Sequence, residues 1–222
     1  MKKYLIFAVM FAVAMASAAG KFFEMDKKGN LLFKKATLFN FTPGGFERFG
    51  GYAFNGNSSL EMELDAKDYK NNALSVSVTG CVSALPGPEG GVLFYRPGYH
   101  NILGIDRQGR ITLSLWYKNP ASGKFDKNVK LLSKRTVRVG KGRYFRAAFT
   151  LAPAADGKTV AKLYLDGSKE AELTISEPLY GYKRVCYIGG SRFLKKGNFK
   201  GIIRSAVICS GTLSDEEIAA LQ

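Results

Sequence analysis

Apolar and polar residues alternate with a period of two along this chain, in short runs separated by turn residues. Leu74-Ser75-Val76-Ser77-Val78 shows the pattern plainly. Successive side chains of an extended strand point to opposite faces, so such a run marks a half-buried strand. Lys162-Leu163-Tyr164-Leu165 is a strand that runs into an Asp166-Gly167 turn. Asn101–Ile105 and Ile111–Tyr117 flank a Gln108-Gly109 turn and read as a hairpin. Leu60–Leu64, Gly91–Tyr95, Arg143–Leu151, Thr159–Leu165 and Phe199–Cys209 read as further strands. Val129–Val139 is a basic strand or strand pair, and Lys21–Thr42 holds one or two edge strands. Helix is signalled once. In Ser214-Asp215-Glu216-Glu217 the serine side chain can accept from the Glu217 amide while Glu217 reaches back, a capping box. The expectation is two packed antiparallel sheets and one short C-terminal helix.

The first residues address the chain rather than fold it. Lys2 and Lys3 precede an apolar run from Tyr4 to Met15, and Ala16-Ser17-Ala18 is a small-x-small cleavage pattern. This is the layout of a secretory signal peptide. The apolar run falls short of the roughly 20 residues that a spanning helix needs. Residues 1–18 are therefore read as a signal peptide and 19–222 as one exported domain, long enough for a sizeable core.

Charge narrows the partners. The chain has 33 Lys and Arg against 18 Asp and Glu, a net charge of +15, and loss of residues 1–18 lowers it to +13. Lys118–Arg146 holds ten basic residues and one acid, Asp126. Lys183–Arg204 holds seven basic residues and no acid. Such segments are either a solvated, solubilising surface or an attraction for an anionic partner. Export favours acidic polysaccharide or cell envelope over nucleic acid, and no nucleic-acid-binding motif is present. Cys81, Cys186 and Cys209 form an odd set, so at least one is unpaired or pairs between chains. Three buried thiols and one intrachain disulfide both remain open readings. With no CxxC spacing and a single histidine, a structural zinc site is not expected.

An ordered set of short motifs carries a family resemblance. Lys162–Gly167 is followed by Tyr187-Ile188-Gly189-Gly190, Phe199-Lys200-Gly201-Ile202-Ile203 and Leu213–Ile218. Upstream, Gly50-Gly51-Tyr52-Ala53-Phe54-Asn55-Gly56 supplies a Phe-x-Gly turn before a strand. From Gly50 to the C-terminus the chain resembles the laminin G-like jelly rolls of the concanavalin A-like superfamily. Two departures stand out. Tyr144 takes a position where the family has Trp, and Arg204 one where it usually has Asp. The resemblance implies that the strand near Leu74–Val82 lies antiparallel to the one near Ile203–Cys209. Cys81 and Cys209 would then lie at opposite ends of that pair, beyond the reach of a disulfide.

That superfamily includes lectins, adhesive modules and glycoside hydrolases, so function has to come from residues. A retaining hydrolase needs two carboxyl groups about 5 Å apart. Glu61, Glu63 and Asp65 share one strand face, with Met62 and Leu64 on the other, which is how a solvated sandwich strand looks. Their order and early position also differ from the glucanase motif of the superfamily. Many relatives bind calcium through Asp and Asn in rim loops, but no matching acidic pair carries over, and no cofactor is expected.

Aromatic residues interleaved with basic ones remain. Tyr95, Arg96, Tyr99 and His100 form one group, and Trp116 with Tyr117 and Lys118 a second. Tyr180, Tyr182, Lys183 and Arg184 form a third, extended by Arg192, Lys195 and Lys196 in the following basic stretch. Aromatic faces suit the apolar side of a pyranose, and Arg and Lys suit uronate or sulfate. The alternative is that several of these aromatics are packed strand residues. The reading is an exported, non-catalytic binding or adhesion module for glycans, acidic ones included, at the cell surface or in the periplasm. The alternatives are a concanavalin A-like hydrolase or lyase, and a protein-interaction module without a small ligand.

Overall fold

The computed structural model describes residues 36–39, 51–63, 73–97, 101–124, 126–176, 185–191, 194 and 196–221. Within them the strands are β1 (Ala36–Phe39), β2 (Tyr52–Asn55), β3 (Ser59–Glu63), β4 (Leu74–Cys81), β5 (Gly91–Arg96), β6 (Asn101–Ile105) and β7 (Arg110–Tyr117). They continue with β8 (Lys127–Thr136), β9 (Phe145–Pro153), β10 (Thr159–Leu165), β11 (Ser168–Ile175), β12 (Val185–Ile188) and β13 (Lys200–Ser210). One helix, α1 (Asp215–Ala220), follows. The signal-peptide segment lies outside the described residues. Among the described residues, no helix is long and apolar enough to cross a membrane.

The strands form two sheets, ordered β1-β3-β12-β5-β6-β7-β8 and β11-β10-β9-β4-β13-β2. Neighbouring strands pair antiparallel throughout. The fold is therefore an all-β sandwich of jelly-roll type. Period two explains the core: Leu60, Ile188, Phe94, Leu103, Leu113 and Leu131 face inward from one sheet. Val76, Val78, Phe149, Leu163 and Ile208 meet them from the other. Phe94 and Phe149 join the two layers, with ring centroids 5.7 Å apart.

The off-phase residues of the second sheet are not wasted on solvent. Ala148, Tyr164 and Cys209 sit on its outer face, and Leu213, Ile218 and Leu221 of the C-terminal segment close over them. Ser214 caps α1 as expected, its hydroxyl accepting from Glu217 N at 3.1 Å while Glu217 Oε2 accepts from Ser214 N at 2.8 Å. Asp215 accepts from the Tyr164 hydroxyl and from Lys162 Nζ, each at 2.8 Å, and so ties the helix to β10.

Local turn chemistry sets the hairpins. Asp166 and Gly167 have φ of 51° and 79°, the left-handed pair that a two-residue hairpin turn of matching twist needs. The basic segment proves to be one strand, β8, which stops at Thr136 because Val137 turns into the core and its N donates to Gly109 O at 2.8 Å. As an edge strand β8 offers unpaired amides. Glu170 of β11, 6% exposed, accepts from Lys134 N at 2.9 Å and Arg135 N at 3.0 Å, and so closes that edge.

All three cysteines are free and buried. Ile202 faces Cys81 and Ser75 faces Cys209 across the β4–β13 pair, so the two thiols do lie at opposite ends. Burial pushes the Cys186 and Cys209 thiols up, away from the reactive thiolate.

Candidate functional site: a basic cleft at the sandwich rim

The ends of β8 and β10 and the start of β9 meet at one rim of the sandwich. Residues 137–144 connect β8 to β9, and three backbone bonds pin them. Val137 N donates to Gly109 O at 2.8 Å, Gly140 N to Val82 O at 2.9 Å and Arg143 N to Gly140 O at 3.1 Å. Gly140 and Gly142 have φ of 138° and 75°, which suits glycine at both places. The pinned loop doubles the chain back, so basic residues from β8 and from the loop face one space. That space is an open cleft of about 890 Å³, lined by Lys134, Arg135, Arg138, Arg143, Tyr144 and Asp166, among others.

The cations of the cleft divide into structural and available ones. Arg135 is committed: its Nε donates to Glu170 Oε1 at 2.5 Å and its Nη2 to Leu165 O at 2.6 Å. Glu170 is held below the usual carboxylate range. Burial alone would raise it, but the Arg135 amide and guanidinium and the Lys134 amide outweigh that. Lys134, Arg138 and Arg143 are exposed. None of the three makes an ion pair among the described residues. The carboxylate of Asp166 is tethered instead to the backbone, Oδ1 accepting from Arg146 N at 2.8 Å.

A second basic stretch joins this rim. The Arg204 guanidinium carbon, from β13, lies 5.7 Å from the centroid of the Tyr144 ring. Tyr144 is half-buried, and burial with the neighbouring Cys81 thiol pushes its hydroxyl pKa up against the opposing pull of Arg204. Segments about 60 residues apart in sequence thus contribute positive charge to one place. The arrangement can receive sulfate, phosphate or carboxylate groups by charge-assisted hydrogen bonds.

The aromatic groups singled out in the sequence fall elsewhere. Tyr95 and Arg96 belong to β5 rather than to a loop and are 6% and 5% exposed. The Tyr95 ring stacks on Tyr187, with centroids 6.1 Å apart, so these two are packed residues and not an open platform. Trp116 is half-buried on β7 opposite Asn128, on the face away from the core residues Leu113 and Leu115. Lys196 is exposed, with Nζ 3.7 Å from Glu89 Oε1. Tyr99, His100, Tyr180, Tyr182, Lys183, Arg192 and Lys195 lie outside the described residues. On β3, Leu60 and Met62 are buried as alternation requires, whereas Glu61 is half-buried instead of freely solvated. Individual cleft residues Lys134, Arg138, Arg143 and Tyr144 were not separable by sequence from the rest of the basic segment. The signal that marks them is the Gly140-x-Gly142 reversal between two basic clusters.

No family model and no curated protein matches the chain. Solved structures do. Domain 4 of an extracellular GH43 arabinanase from Geobacillus stearothermophilus, in complex with arabinotriose, aligns with a TM-score of 0.54 at 16% identity, over 91% of this chain and 88% of that one. Botulinum neurotoxin type C, whose cell entry depends on two ganglioside molecules, aligns with a TM-score of 0.63 at 13% identity, over 94% of this chain and 51% of the other. Trypanosoma rangeli sialidase, in complex with the inhibitor DANA, gives 0.57 at 16% identity, over 84% and 28%. The likeness is one of fold. The chain shares the jelly-roll sandwich of these domains and spans about half of the neurotoxin structure.

Proposed function

We propose that this is an exported, non-catalytic glycan-binding module of laminin G-like type, and that its rim cleft receives acidic polysaccharide. One observation carries the reading: Lys134, Arg138 and Arg143, exposed and without an ion pair among the described residues, line one open cleft, beside Arg204 over the Tyr144 ring. A solubilising surface has no need to gather charge in a concavity, whereas a site for a polyanion does. The Lys2–Ala18 layout supports export. That a domain of this fold has been solved in complex with arabinotriose, and that a neurotoxin containing such a sandwich enters cells in dependence on gangliosides, supports carbohydrate as the partner class.

The test is a glycan array read at low and at physiological salt, together with an assay of acidic polysaccharides for released product. Acidic glycans should be retained at low salt and weaken steeply as salt rises, because ions screen exposed charges over about 10 Å at 0.1 M. No product should appear. Retention of acidic glycans no stronger than that of a neutral control protein would overturn the binding reading. Product release abolished by Glu61→Gln with Glu63→Gln would overturn the non-catalytic one.

A further inference from the structure

A second concavity opens on the same rim. It has a volume of about 440 Å³, within the range of small-ligand sites. The β4–β5 connection forms one wall through Ser83, Leu85 and Pro86, and Phe199 with Lys200, at the entry to β13, forms another. Phe199 is 1% exposed, and its ring meets Phe54 edge-on with centroids 6.2 Å apart. The walls are fixed by backbone bonds: Val92 N donates to Gly197 O at 2.8 Å, and Gly56 N to Phe199 O at 3.1 Å. Leu85 is 41% exposed, and it is the exposed large hydrophobic residue among the described ones.

One backbone hydrogen bond links the borders of the two concavities. Val82 lines this pocket, and its carbonyl accepts from Gly140 N of the loop that bounds the basic cleft. Their chemistry differs. The cleft is lined by cations, whereas this pocket sets Leu85, Pro86 and Val82 beside the Ser83 hydroxyl and a single ammonium, Lys200. An apolar rim with a few polar groups suits a pyranose, whose C–H face packs on aliphatic side chains while its hydroxyls meet polar ones.

We infer that the Leu85 pocket is a second subsite, which holds an uncharged pyranose unit next to the acidic unit held in the basic cleft. This rests on the acidic-glycan reading and narrows it. The preferred chain alternates charged and uncharged sugars, and a chain with an acid on every unit uses the cleft alone.

The experiment compares two probes of equal charge by titration calorimetry: a hyaluronan octasaccharide, which alternates uronate with N-acetylhexosamine, and tetragalacturonate. Leu85→Ala should weaken the hyaluronan octasaccharide about fivefold, the loss expected for roughly 40 Å² of apolar contact, and leave tetragalacturonate unchanged. Arg138→Ala with Arg143→Ala should weaken both. If the double variant weakens both while Leu85→Ala changes neither, the second subsite is overturned and the cleft stands. A second measurement is independent of the cleft: amide shifts on titration with N-acetylglucosamine alone. Shifts at Gly87, Gly90 and Gly91 that Leu85→Ala abolishes are expected, even if neither acidic probe binds. Absence of those shifts overturns the subsite.

Discussion

The guanidinium of Arg204 lies over the Tyr144 ring, 5.7 Å from its centroid. The two residues belong to the two basic segments, Lys118–Arg146 and Lys183–Arg204, and in space they meet. A cation over an aromatic face is favourable by about 0.5–1 kcal/mol at exposed sites. The pair therefore joins the two segments in one feature of the basic rim. Arg204→Asp, which reverses the charge, should lower the salt concentration at which the protein leaves a heparin column. The melting temperature should fall by only a few degrees, and Tyr144→Phe, which keeps the ring, should elute like the parent.

The cleft itself should dominate retention. Arg138→Glu should shift heparin elution further than Lys196→Glu, an equal change in charge at an ammonium that faces Glu89 and lies outside the cleft. Elution should be insensitive to EDTA, since the contacts are between cationic side chains and anions. Equal shifts for these two single reversals would mean that net charge, not the cleft, governs binding.

Glu170 seals the exposed edge of β8, and its loss should show as stability. Glu170→Ala leaves the amides of Lys134 and Arg135 without their acceptor, at a cost of about 1–3 kcal/mol in urea unfolding. The carboxyl is held below its ordinary range, so its contribution is complete at neutral pH. It begins to fade as pH drops through the ordinary glutamate range near about 4.3 and is lost below the folded-state value. The difference between parent and Glu170→Ala should shrink over that acid window. A gap that stays constant to pH 3 would refute this role.

Gly189 and Gly190 have φ of 75° and 136°, outside the range that side chains tolerate well. A Cβ at Gly189 would also run into the Phe54 ring, and one at Gly190 into the Asn198 side chain. Either Gly→Ala change should cost more than about 3 kcal/mol, because left-handed strain adds to the steric clash. Gly87→Ala, with nothing within 4 Å of the new methyl, should change the melting temperature little and serves as the control.

Asp215 joins α1 to β10, with Lys162 Nζ the first cause and the Tyr164 hydroxyl the second that hold it below the usual carboxylate range. Asp215→Ala should destabilise by about 1–2 kcal/mol, since the fully buried Tyr164 loses an acceptor. Tyr164→Phe in the Asp215→Ala background should then cost little more, and a fully additive double variant would show that the two act separately.

Local signals in the sequence were sufficient for much of the architecture. Strand 159–165 runs as its alternation requires, and Asp166-Gly167 makes the left-handed turn that only such a pair forms readily. The Ser214–Glu217 capping box starts the helix where its side chains can reach the first amides. These features depend on neighbours two to four residues away, and the chain carries that information directly. The candidate site depends on distance that the sequence does not express. Tyr95 and Trp116 look alike as strand aromatics, yet Tyr95 is enclosed against Tyr187, a residue from a strand more than 90 positions away. Lys134 and Arg143 line one cleft because β8 and β9 are joined by a reversal, and Arg204 reaches the Tyr144 ring at its border because β13 pairs beside β4, which pairs with β9. Period two could say that a basic residue faces out, but only the order of strands in the two sheets decided which basic residues face the same cleft.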